Sequence, residues 1–267
     1  MMGISLDSRF VPPGTFAMGS ERFYPEEAPE REIEVGAFRI DRTPVTNARF
    51  ARFVVEAGHE TCAERAGGGL VFRGGARGDD NWAFVAGASW RHPYGPESSI
   101  ADMSDHPVVL VSPADALAFA EWSGGRLPTE AEWEWAARGG IAGLDYAWGD
   151  DLHIDGDIPA NVWKGIFPVS RKDGLEAPFT TPVGRYAENG FGLHDMIGNV
   201  WELTADRVTH VSGGCCSARD GSPRLAAGHV IKGGSHLCAE NHCRRYRPAA
   251  RQTMSEPTSH IGFRCVT

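Results

Sequence analysis

"GGRLPTEAEWEWAARGG", residues 124–140, carries its own start and stop signals for a helix. Thr129 and Glu132 stand at the spacing of a capping box, in which each side chain takes a free backbone N–H of the first turn. Gly139 can turn left-handed and end the helix. Punctuation of this kind accounts for Thr129, Glu130, Glu132 and Glu134, and asks no further purpose of those acids.

The same grammar recurs outward from there. "SPADALAFAEWSGG" (112–125) has Ser112 at the cap, Pro113 in the first turn, Asp115 as the reaching acid and Gly124 past the end. Upstream, "EVGAFRIDRTPVTN" (34–47) alternates apolar side chains at Val35, Phe38 and Ile40, the period of a strand. A helix follows, capped by Thr46 or Asn47, with Phe50, Phe53, Val54 and Ala57 on one face and Gly58 as its stop. Residues 10–20 read as strand, turn, strand. Residues 58–106 show little period and are expected to be irregular. Beyond residue 140 the reading is of turns, with short strands near 166–169, 180–184 and 228–232. There is no repeat and no linker of distinct composition, so 1–267 is expected to form one domain.

Composition narrows the class. Lys plus Arg number 26 against 35 Asp plus Glu, which sets nucleic-acid binding aside. No run approaches a membrane span, and the N-terminus lacks an apolar signal core, so a soluble, cytoplasmic protein is expected. The 33 glycines and 17 prolines mean many turns and little regular structure. Six cysteines are not spaced as a small disulfide scaffold, and reduced thiols are expected.

Three stretches could carry chemistry. In "NVWKGIFPVSRKDGL" (161–175), Asn161 and Asp173 offer oxygens; in "LHDMIGNVWEL" (193–203), Asp195, Asn199 and Glu202 lie around Gly198. Hard cations take oxygens from loops of this sort. Neither stretch matches an EF-hand, and on spacing alone turn-forming Asx residues are the better account. The third is "KGGSHLCAENHCRRYRPAAR" (232–251), with Cys238 and Cys243 in a run holding Lys232, Arg244, Arg245, Arg247 and Arg251. Nearby cations favour thiolate. His236 and His242 with the two thiols match no zinc spacing, whereas two soft sulfurs suit Cu(I). A local disulfide or two unrelated thiols remains the simpler reading of the residues alone. The other histidines are scattered, and there is no nucleophile elbow or phosphate loop.

Taken in order, "FVPPGTFAMGSERFYPEEAP", "FRIDRTPVTNARFARFV", "GASWRHPYGP", "GGRLPTEAEWEWAARGG", "NGFGLHDMIGNVWELTAD", "KGGSHLCAENHCRRYRPAARQ" and "IGFRC" span nearly the whole chain. They resemble the formylglycine-generating enzymes, or sulfatase-modifying factors. "RLPTEAEWE" and "GNVWE" mark the wider superfamily, and the cysteine pair after Gly-Gly-Ser marks the generating enzyme. The resemblance implies an α+β fold related to C-type lectins, with little regular structure. It implies oxidation by O2 of a cysteine to formylglycine, within Cys-x-Pro-x-Arg of a type I sulfatase. It places Cu(I) between Cys238 and Cys243, with Ser235 close by and an external thiol as reductant. Trp201, Trp90, His242 and Arg247 fall at substrate-side positions; the alternative for Arg247 and Arg251 is pairing with core carboxylates. The resemblance also implies two structural calcium ions. One is held by Asn161, Asp173 and the carbonyls of Val162 and Leu175, the other by Asp195, Glu202 and the carbonyls of Gly198 and Val200. A monomer is expected.

Some positions depart from the family pattern. His242 stands where Tyr is usual, Pro113 where Trp is common, and Arg207 or Val208 where an aromatic is common. Positions matching the bridges of extracytoplasmic members, Ala120 with Cys265 and Ala137 with Pro248, each lack at least one cysteine, so Cys265 is expected to be a buried free thiol. The competing readings are a non-catalytic peptide-binding paralogue and an iron-dependent relative that forms C–S bonds. No histidine-based iron site can be assembled for the latter, and a scaffold would not need the cysteine pair.

Overall fold

Two strand pairs open the chain. β1 (Ser8–Val11) and β2 (Gly14–Met18) are joined by a tight turn, and each finds its partner further on. β2 pairs antiparallel with β3 (Arg31–Val35), and β1 with β4 (Phe38–Asp41). The expected alternation holds, with Val35, Phe38 and Ile40 all buried. The computed structural model describes residues 7–74, 81–141, 143–172, 179–208 and 227–267.

α1 (Asn47–Ala57) begins at Thr46, whose side chain accepts from the Arg49 N–H, and stops at Gly58 with φ 63°. It buries Phe50, Phe53 and Val54 as its pattern required, while Ala57, in the last turn, is exposed. The stretch expected to be irregular contains more order than its period shows. α2 (Cys62–Arg65) is a single turn closed by a full capping box between Thr61 and Glu64. β5 (Gly68–Phe72) then pairs with β6 (Trp82–Ala86), Leu70 opposite Phe84. Glycines and the few residues per strand hide the alternation there.

α3 (Pro113–Trp122) and α4 (Glu130–Arg138) have the capping boxes expected of them, Ser112 with Asp115 and Thr129 with Glu132. α4 is short but central. Trp133, Glu134, Ala136 and Ala137 are fully buried, and the helix packs on β2, β3, β9 and β10. A small hairpin, β7 (Gly165–Ile166) with β8 (Ser170–Arg171), follows; residues 180–184 are turn rather than strand.

The largest sheet comes last. β9 (Trp201–Val208), β10 (Gly228–Lys232), β11 (Arg251–Met254) and β12 (Ile261–Gly262) lie in the order β11-β10-β9-β12. β12 runs parallel to β9, and the other pairs are antiparallel. β9 is the longest strand described, and its alternation is masked because its first four residues are all buried. That is the signature of a strand covered on both faces. Lys232 sits opposite both Glu202 of β9 and Arg251 of β11, at the end of β10 where the cysteine loop leaves the sheet.

Candidate active site

The loop after β10 is built by two glycines. Gly233 has φ 90°, and a Cβ there would lie 2.7 Å from the Met196 carbonyl and 2.8 Å from the Trp133 ring. Gly234 has φ 73°, and its Cβ would lie 2.6 Å from the Arg245 carbonyl. Only glycine offers both this backbone and this closeness. The chain thus crosses under residue 245 and then forms a turn in which Cys238 N–H donates to the Ser235 carbonyl (2.9 Å). Ser235 is fully buried, and its Oγ accepts from Leu237 N–H at 3.2 Å. The Cys238 carbonyl accepts from Trp163 N–H at 2.9 Å, tying the loop to the segment that leads into β7.

Cys238 and Cys243 are both free thiols, close enough for each to shift the other's titration. Cys238 is buried and Cys243 partly so. The pair is polarised. The neighbouring Cys238 side chain brings the Cys243 thiol down to about 7 against its burial; the backbone N–H groups of Arg245 and Ala239 and the Arg245 charge assist. Burial, and then the neighbouring sulfur, push the Cys238 thiol well above its usual range. One proton shared between two sulfurs leaves one soft, anionic donor beside a second that can lose its proton to an incoming cation.

The basic run does less here than its charge count suggests. Lys232 Nζ lies 2.9 Å from Glu134 Oε2 and 3.5 Å from Glu130 Oε1. Arg251 pairs with Glu130 at 2.9 Å and Arg245 with Glu26. Arg247 is buried in a two-pronged pair with Glu27, with Nη1 2.7 Å from Oε2. Arg247 thus takes the second of its two expected places, the pairing with a core carboxylate. The reading of Glu130 and Glu134 as helix punctuation is corrected. Both acids are buried and ion-paired. Burial alone would raise the Glu134 carboxyl, but Lys232 and Arg138 hold it below its ordinary value.

The substrate-side aromatics divide. Trp90 is fully buried, edge-on to Phe50 at 5.2 Å, and Trp201 is 2% exposed. Both are packed into the core, and neither offers an open face. His242 is exposed and stacks on Phe167, ring centres 4.5 Å apart. Phe167 joins Phe72, Trp82, Trp163, Phe179 and Leu237 in an aromatic cluster beside the loop. Sequence reasoning missed this cluster, because its members come from distant segments. His236 is fully buried. Its Nδ1 hydrogen-bonds to the Asn199 carbonyl at 2.7 Å, and burial lowers it to about 3. Among the described residues no group of three His, Cys, Asp or Glu could hold a metal.

The oxygen-rich stretches meet. Asn161 Nδ2 donates to Asn199 Oδ1 (3.1 Å) and to the Phe179 carbonyl (2.9 Å). The Asn161 carbonyl accepts from Asn199 N–H at 2.8 Å, and a Cβ on Gly198 would lie 2.6 Å from that oxygen. Val162 is buried, and Val200 leads into β9. Asp173 and Leu175 lie outside the described residues. Asp195 is buried at φ 53° with one backbone donor, Gly184 N–H at 2.6 Å; burial raises its carboxyl. Such a carboxylate suits a cation. Glu202 is more fully partnered. Arg264 holds both its oxygens at 2.7 and 2.8 Å, and Trp133 Nε1 adds a third bond at 2.8 Å.

Cys265 is a fully buried free thiol, as expected, and burial pushes it well up. Cys215 and Cys216 lie outside the described residues. Among the described residues no helix is long and apolar enough to cross a membrane.

Fold and thiol pair together define a class. The sulfatase-modifying factor enzyme 1-like family matches residues 6–267, and the chain belongs to that family. It is an enzyme of the formylglycine-generating kind. The chain is 47% identical to the formylglycine-generating enzyme of Mycobacterium tuberculosis (strain ATCC 25618 / H37Rv), over 96% of each chain. It is 44% identical to that of Streptomyces coelicolor, over 96% of this chain and 87% of the relative. In three dimensions it resembles PvdO from Pseudomonas aeruginosa, with a TM-score of 0.65, 26% identity, and 97% and 93% of the two chains covered.

Proposed function

We propose that the protein oxidises a cysteine of a target sulfatase, within Cys-x-Pro-x-Arg, to formylglycine, with O2 as oxidant and Cu(I) held by Cys238 and Cys243. The observation that carries this is the polarised thiol contact on a loop whose two glycines preset it. Two soft sulfurs, one already inclined to be anionic, fit Cu(I) better than a hard cation. Bound there, Cu(I) supplies one-electron chemistry with O2. The protein's own part is to bury Cys238 and hold the partly exposed Cys243 beside it. His242 and Phe167 form an aromatic rim beside the partly exposed Cys243, a surface on which a peptide can lie. The overall change balances as one substrate cysteine thiol, O2 and two external thiols giving aldehyde, hydrogen sulfide, water and one disulfide.

Calcium is proposed at two loops, one with Asn161, Asp173 and the carbonyls of Val162 and Leu175, the other with Asp195, Glu202 and the carbonyls of Gly198 and Val200. Strong chelation should then lower the melting temperature, and an unchanged melting curve removes the ion from the account.

The direct assay supplies a Cys-x-Pro-x-Arg peptide, O2, thiol and Cu(I) to the purified protein and traps aldehyde. Aldehyde formation is expected. Its absence at every copper loading would end the oxidase reading.

A further inference from the structure

Cys243 is gripped by a segment from the other end of the chain. A single 3-10 turn, Pro25–Glu27, follows "RFY" at 22–24. Tyr24 Oη donates to the Cys243 carbonyl at 2.7 Å. The Arg245 guanidinium lies over the Tyr24 ring, 4.0 Å from its centre, and pairs with Glu26. Arg247 lies over Phe23 at 3.7 Å and pairs with Glu27. Two successive aromatics and two successive acids thus meet two arginines on alternate positions just after the thiol.

The grip falls where the backbone needs holding. Arg244 has φ 44°, a left-handed conformation in which an L side chain crowds the following carbonyl. Arg244 N–H is bonded to the Ala239 carbonyl at 3.1 Å, and the Arg244 carbonyl accepts from Arg247 Nε at 3.1 Å. These bonds set the turn from within. The Cys243 carbonyl faces outward from it, and Tyr24 supplies its partner. Without that bond the backbone at Cys243 could shift and carry the thiol away from Cys238.

We infer that Tyr24, braced by Arg245 and Glu26, is a positioning residue for the second thiol: it anchors the Cys243 backbone through its carbonyl and so holds that thiol beside Cys238, where the two could take a soft metal. Tyr24 donates to a carbonyl and need not touch substrate or metal. The inference rests on the copper reading for its function and on geometry alone for the grip. Phe at position 24 keeps the ring under Arg245 and removes only the donor.

The test measures Cu(I) affinity by anaerobic competition with a chromophoric chelator for wild type, Tyr24→Phe, Glu26→Gln and Cys243→Ser. Alkylation rates of Cys243 and Cys238 in the metal-free protein are read in parallel by mass spectrometry. Tyr24→Phe is expected to weaken Cu(I) binding about tenfold, the equivalent of one lost hydrogen bond, and Glu26→Gln about threefold. The melting temperature and the peptide KM should stay at wild-type values, which a merely structural residue would not combine with lost metal affinity. Variants that bind Cu(I) as wild type does, with unchanged alkylation, overturn the inference. If Tyr24→Phe fails to fold, Glu26→Gln decides alone. If wild type binds Cu(I) no better than Cys243→Ser, the copper reading has failed instead. The grip is then judged by the Cys243-to-Cys238 alkylation ratio: a change of about threefold or more upholds it, and an unchanged ratio overturns it.

Discussion

Lys232 and Cys238 stand on the same short run of chain, both buried, in polar surroundings of opposite kinds. Around Lys232 every charge has its match inside the protein. Glu134 meets Lys232, Arg138 and the Gly19 N–H, and the neighbouring Glu202 meets Arg264 and Trp133. Around Cys238 the account is unfinished. The two sulfurs have each other and a few backbone donors, and a proton that either can hold. A saturated buried network fixes structure, whereas an unsaturated one retains capacity for a ligand. This difference separates scaffold from site more sharply than the count of charged residues, which is highest in the scaffold.

The comparison breaks most visibly if the thiols are changed. Cys243→Ser or Cys238→Ser should abolish tight Cu(I) binding and lower turnover by about a thousandfold or more, with the melting temperature near wild type. Cys265→Ser should keep most turnover. Activity surviving the loss of Cys243 would return the pair to the scaffold side. In the lattice of buried charges the expected effect is on stability. Lys232→Met leaves Glu134 buried with one partner fewer and should cost about 3–5 kcal/mol in denaturant unfolding. A double change, Lys232→Met with Glu134→Leu, should recover part of that loss; no recovery would mean the ion pair itself is worth more than its desolvation.

A smaller effect sharpens the contrast through pH. The Cys243 thiol is lowered, so its thiolate fraction rises as pH passes about 7 rather than nearer 9. Alkylation of the metal-free protein should therefore climb through that lower range at Cys243, while Cys238, raised by burial, stays unmodified. Glu134 has the complementary sign. Its folded carboxyl is depressed, so its contribution to stability is present above the ordinary carboxylate range and is lost as pH falls through the folded value. Equal alkylation of both cysteines at neutral pH would contradict the polarised pair.

Legibility followed locality. Capping boxes and glycine stops announce α1, α3 and α4, because a helix end is satisfied by residues three or four away. α2 had the same Thr-x-x-Glu signal at Thr61 and Glu64 and could have been found by it. β5, β6 and β9 could not, since their partners are distant and β9 is covered on both faces at its start. In the site, Cys238, Cys243 and the glycines before them were legible, as was the soft-metal chemistry two thiols permit. Where the arginines would go was not. Arg245 and Arg247 are claimed by Glu26 and Glu27, which lie at the far end of the chain.

By itself the sequence determined the punctuation of the helices, the turn that only Gly233 and Gly234 can make, and the presence of two thiols close enough in the chain to meet. These follow from steric and hydrogen-bonding rules that act over a few residues. Tertiary structure decided which charges are spent and which groups remain available. It buried Trp90 and Trp201, committed Glu202 to Arg264, and brought Tyr24 to the Cys243 carbonyl. Such assignments depend on burial and on partners far apart in sequence, because the cost of an unmatched polar group is set by the whole of what surrounds it.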